Sequence, residues 1–165
     1  MQIALGAVYA WSVFRIPLTH SYGWSVSQVT QIFELAIFMV GAAAFVGGLW
    51  MKRSGPRSIA SVAGICYGLG WVLAGLSGGN LLLLTLSYGV VGGLGLGLGY
   101  IVPITTLIKW FPDKRGMITG LNIAGFGAGA LITAPVAEHL ISTVGVSHTF
   151  MTLGVIYFIL VSAAA

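Results

Sequence analysis

The 165 residues are 58% hydrophobic and 6% charged, with a mean hydropathy of +1.01, which excludes an ordinary soluble domain and makes lipid the solvent. The formal charge of +4 does not indicate a nucleic-acid partner, because every Lys and Arg sits at or near the end of an apolar run instead of along a polar face. A crossing takes about 20 mostly apolar residues, so a chain of this length has room for roughly six.

The first span covers residues 2–16, shorter than a full crossing, and the chain is expected to begin inside a helix. It has neither the charged flank nor the small-residue cleavage site of a signal peptide. Arg15, Ile16 and Pro17 are expected to end it. After the polar stretch Thr19 to Gly23, Ser25 and Gln28 have capping-box spacing and open a second span over 28–51. Lys52 to Arg57 reads as a basic turn in which Gly55 ends one helix and Pro56 suits the first turn of the next, a third span over 58–76. Asn80 is the expected N-cap of a fourth span over 81–110. Pro112 and Asp113 then interrupt the chain, and Asp113 is expected to cap a fifth span over 114–141. A sixth span, 148–165, has no polar end, so both termini read as cut. The fold class is an all-α membrane protein of six helices.

Of the seven Lys and Arg residues, six lie in the turns at 52–57 and 109–116 and only Arg15 lies in another connection. Basic residues are retained on the cytoplasmic side, so both turns are expected to face the cytoplasm of a cell (inner or plasma) membrane.

Gly89, Gly93 and Gly97 fall four apart on the fourth span, a face that lets another backbone approach closely; the spacing of a nucleotide loop is absent. The polar inventory inside the spans is Tyr9, Trp11, Ser12, Thr30, Gln31, Glu34, Tyr100, Thr105, Thr106 and Asn122. Thr30, Gln31 and Glu34 share one stripe of the second span, which should face protein or water. Two readings of Glu34 stay open: a cavity-lining group that binds a proton or polar substrate, or a carboxylate near enough to the helix end for water to reach it. Tyr and Trp likewise serve either a cavity or the membrane interface. The scattered His20, His139 and His148 lack the spacing of a metal-binding helix, and no nucleophile has an evident base, so neither a metal, a cofactor nor an enzyme is expected.

Three stretches resemble the oxalate/formate antiporters of the major facilitator superfamily. They are Tyr9 to Phe14, Gly55 to Arg57, and Trp110 to Gly116 followed by Gly120 and the run Gly125 to Gly129. The resemblance implies helices one to six of a twelve-helix secondary transporter for small carboxylates, one of two pseudosymmetric halves. It implies a cleft enclosed by helices one, two, four and five, with three and six at the periphery, and it marks Tyr9, Trp11 and Tyr100 as cavity lining. Val8, Thr30 and Phe126 stand where oxalate-handling relatives tend to be more polar, which implies a less polar pocket and a related mono- or dicarboxylate. Gly48, Arg53, Gly55 and Arg57 resemble a cytoplasmic gating loop, with Lys52 in place of the usual acid. The helix-four arginine of many proton-coupled relatives is absent, which favours exchange or facilitated transport. The cations that balance the substrate would come from the missing carboxy-terminal half. The competing class is a non-transporting six-helix subunit that packs against a partner.

Overall fold

The computed structural model describes all 165 residues, and every regular element is helical. The first helix, α1 (2–22), is α-helical over Gln2–Leu5, tightens to a 3-10 helix over Gly6–Ala10 and resumes as an α-helix over Trp11–Tyr22. The expected stop at Arg15 to Pro17 does not occur. Pro17 forfeits one backbone bond but the helix carries on past it, and the end comes at Gly23, whose φ of 69° only glycine adopts freely.

Helix Val26–Gly75 is 50 residues long and breaks only at Gly55 (φ 77°, ψ 167°). A straight helix of that length would measure about 75 Å, more than twice a hydrocarbon core of ~30 Å. Gly55 divides it into α2 (26–54) and α3 (56–75). Gly145 (φ 81°, ψ 169°) divides Arg115–Ala163 in the same way into α5 (115–144) and α6 (146–163). Between them lies α4 (81–110), whose segment Thr85–Gly92 widens to a π-helix. The basic turn is thus a single non-helical residue, the fifth span outlasts Ile141, and the sixth begins before His148. One glycine in a conformation closed to other residues reverses the chain with nothing to spare.

Two of the three expected caps form. Ser25 Oγ accepts from the Gln28 amide at 3.2 Å while Gln28 Oε1 accepts from the Ser25 amide at 2.9 Å, and Asn80 Oδ1 accepts from the Leu83 amide at 3.1 Å. Asp113 does not cap α5. It lies within the 3-10 turn Pro112–Lys114, and Arg115 Nε donates to the Pro112 carbonyl at 3.1 Å instead.

Contacts give the helix directions. Gly93 lies against Ala36, Gly97 against Val40 and Ala43, and Thr105 Oγ1 is 3.0 Å from Met51 Sδ, so α2 and α4 run parallel. Gly70 lies on Gly92 while Gly95 lies on Tyr67, so α3 and α4 run antiparallel. The pairs Gly75–Met151, Gly154–Val72, Gly68–Phe158 and Gly64–Ser162 make α3 and α6 antiparallel as well. Odd-numbered helices therefore cross one way and even-numbered helices the other. Lipid offers no hydrophobic drive for helix pairing, so cohesion depends on such close backbone approaches. At the centre, Trp11, Phe14, Trp71, Tyr88 and Phe150 interleave, with Trp11–Tyr88 centroids 4.4 Å apart and Phe14–Phe150 centroids 4.6 Å apart. The outer surface is apolar: Phe38 and Phe45 are each 70% exposed and Leu131 is 79% exposed.

Candidate functional site

Phe126 of α5 is buried between two tyrosines. The Tyr9 ring of α1 meets its edge at 5.3 Å and 80°, and the Tyr100 ring of α4 meets it at 5.1 Å and 70°. Tyr9 is 52% exposed and Tyr100 half-buried, so both rings form a wall instead of a sealed core. The wall exists because α1 and α5 touch backbone to backbone: a Cβ on Gly6 would strike the Phe126 carbonyl, and one on Gly129 would strike the Ile3 carbonyl.

Below the rings lies an amide pair. Gln2 Nε2 donates to the Tyr100 carbonyl at 3.2 Å and to Asn122 Oδ1 at 3.5 Å, and Asn122 Nδ2 donates to the Ile118 carbonyl at 2.9 Å. These bonds tie α1, α4 and α5 together directly beneath Tyr100. Asn122 stands in the polar inventory of the sequence, whereas Gln2 does not. The signal for it is general: an amide in an apolar span needs a protein partner. Toward the other end, Ser12 and Pro17 of α1 and Glu138 and Ser142 of α5 line an open crevice of about 390 Å³. Glu138, like Glu34, is an exposed carboxylate within a helix, and the inventory passes over it too.

Tyr9, Phe126 and Tyr100 are brought together; the other candidate residues lie elsewhere. Trp11 is buried in the aromatic centre, where its Nε1 donates to the Val29 carbonyl at 3.2 Å. Residues two apart point to nearly opposite sides of a helix, so Tyr9 and Trp11 cannot line one wall. Thr30 Oγ1 donates to the Val26 carbonyl at 2.8 Å, inside its own helix. Glu34 is exposed one turn further along α2 and has no ion-pair partner within the chain. In the loop segment, Arg53 and Arg57 are exposed and flank the reversal at Gly55, while Gly48 is half-buried with open space around it.

The family model of the Major Facilitator Superfamily matches residues 2–165. The chain belongs to the Major Facilitator Superfamily. It is a multi-pass membrane protein built on half of the superfamily's fold. Among its relatives in the superfamily are the uncharacterized MFS-type transporter YhjX of Escherichia coli K12, 36% identical over 97% of this chain and 40% of that protein, and the oxalate:formate antiporter of Oxalobacter formigenes, 30% identical over 98% of this chain and 38% of that protein. Human monocarboxylate transporter 11 is 31% identical over 84% of this chain and 29% of that protein. The chain thus spans about two fifths of the first two superfamily members.

Proposed function

We propose that this chain is the amino-terminal bundle of a secondary transporter that moves small carboxylates, by exchange, through alternating access with a second six-helix bundle. The observation that carries this is the Tyr9–Phe126–Tyr100 wall, drawn from three helices and left open on one side. Relatives named for oxalate, formate and monocarboxylates support the substrate class. A phenol orients a carboxylate by one hydrogen bond without carrying charge. Desolvating an anion also needs a cation, and no Lys or Arg occurs between residues 58 and 108 or after residue 115. That cation comes from the second bundle.

In this reading Tyr9 and Tyr100 contact substrate and Phe126 shapes the apolar wall, while Thr30 and Glu34 of α2 lie apart from that wall. Gly48, Arg53, Gly55 and Arg57 form the cytoplasmic gate, and 52–57 and 109–116 lie on the cytoplasmic side of a cell membrane. The experiment is exchange of radiolabelled oxalate, formate, lactate and pyruvate by a complete carrier containing this chain, reconstituted in liposomes. Tyr9→Ala and Tyr100→Ala are each expected to raise the apparent KM at least tenfold or so, as both hydrogen bond and wall are lost. Parent-like kinetics in both variants across all four acids would reduce the tyrosines to interface anchors.

A further inference from the structure

We infer that Tyr67, on α3, is a positioning residue: its hydroxyl holds the tight turn of α1 that aims Tyr9 at the cleft, an inference that rests on the transport reading above. In a 3-10 helix side chains three apart eclipse one another, so Gly6 and Tyr9 stand in one line along the turn Gly6–Ala10. Gly6 lies against the Phe126 backbone, and Tyr9 directly beyond it meets the Phe126 ring. Ordinary α-helical winding would swing Tyr9 about 60° off that line. The tightening therefore sets the direction of the ring.

Tightening has a cost at the junction. The Gly6 amide still bonds four residues back, to the Gln2 carbonyl, whereas the Trp11 amide bonds three back, to the Val8 carbonyl. A change from one pairing to the other leaves one carbonyl over, and within a membrane such a group must find a partner inside the protein. Tyr67 reaches across from α3 to this junction. Its hydroxyl shares one proton between the Ala4 carbonyl at 3.3 Å and the Leu5 carbonyl at 3.5 Å. The ring is 2% exposed and lies between Trp71, with centroids 6.1 Å apart, and Tyr157, at 5.7 Å, so the hydroxyl is held in place. A helix that contributes no ring to the wall thus controls the wall through one oxygen.

Tyr67→Phe removes that oxygen and keeps the packed ring. In the complete reconstituted carrier, tested with oxalate, formate, lactate and pyruvate, it is expected to raise the apparent KM roughly fivefold with kcat within about twofold of the parent. The effect should vanish in a Tyr9→Ala background, where there is no ring left to aim. Tyr157→Phe, which loses a 2.8 Å bond to Thr133 in the same neighbourhood, should leave KM at the parent value. As a readout independent of transport, amide hydrogen exchange over residues 4–11 should be faster in Tyr67→Phe than in the parent or Tyr157→Phe. An unmoved KM, a KM shift of equal size in the Tyr9→Ala background, or unchanged exchange overturns the inference. If the parent moves none of the four acids, the transport reading falls, and the exchange rates still decide whether Tyr67 holds the turn.

Discussion

Where α3 meets α6, Gly68 leaves no room beside Phe158, Gly75 none beside Met151 and Gly154 none beside Val72; on α5, Gly120 and Gly127 face nothing within 4 Å. The same residue closes one seam and leaves another face bare. Aromatic residues divide likewise. Trp71 and Phe150 are buried in contact with each other, with centroids 5.4 Å apart, whereas Tyr9 packs one edge and leaves half its surface free. The two regions differ in whether a neighbour from this chain covers the group. A sealed seam carries cohesion, and an uncovered face is where a second body or a solute can act.

The sharpest way to break this contrast is to fill the sealed side. Gly95→Val places a side chain into the Tyr67 backbone across the α3–α4 seam, and it is expected to destabilise by about 3 kcal/mol or more, read as loss of monodisperse protein in fluorescence-detected size exclusion. Gly145→Ala tests a conformational need without a packing one: nothing lies within 4 Å, but φ is 81°. It is expected to cost about 2 kcal/mol, seen as a lowered Tm in detergent. On the open face, Tyr9→Phe and Tyr100→Phe are each expected to cost about 1 kcal/mol of substrate binding, a roughly fivefold rise in apparent KM with Tm unchanged. Gly127→Ala should be smallest and opposite in sign, a gain of up to about 1 kcal/mol in stability, because a helical glycine in open space gives up only backbone freedom. A Tm lowered by Gly127→Ala as much as by Gly145→Ala would erase the distinction between the two regions.

Much of the fold is legible because its signals are local. Ser25 with Gln28, Asn80 before Leu81, and glycines four apart on α4 each speak through neighbours within a turn, and each does in the structure what its spacing implies. The failures are also physical. Pro17 looks like a stop, yet a proline inside a helix costs only bonds that packing can offset, and α1 runs on to Gly23. The Lys52 to Arg57 stretch looks like a loop because charge and Pro56 suggest one, whereas the break needs only Gly55. The site is less readable than the fold. That Tyr9, Phe126 and Tyr100 converge depends on which helices cross at Gly6 and Gly129, a long-range fact that no window of sequence contains. Trp11 marks the opposite lapse, since a two-residue offset from Tyr9 already puts it on the other side of the helix.

The reversals at Gly55 and Gly145 agree in backbone angles to a few degrees, 77° and 167° against 81° and 169°. Each joins the second and third members of a helix triplet, and each triplet opens with an irregularly wound helix, 3-10 in α1 and π in α4. Yet the two turns sit at opposite ends of the bundle: Pro56 shares a pocket with Met1 and Ala165, while Ser147, two residues after Gly145, bonds Tyr22 at 2.9 Å. The chain therefore contains one three-helix design used twice, the second copy upside down relative to the first, and a feature found in one triplet has a natural counterpart to be sought in the other.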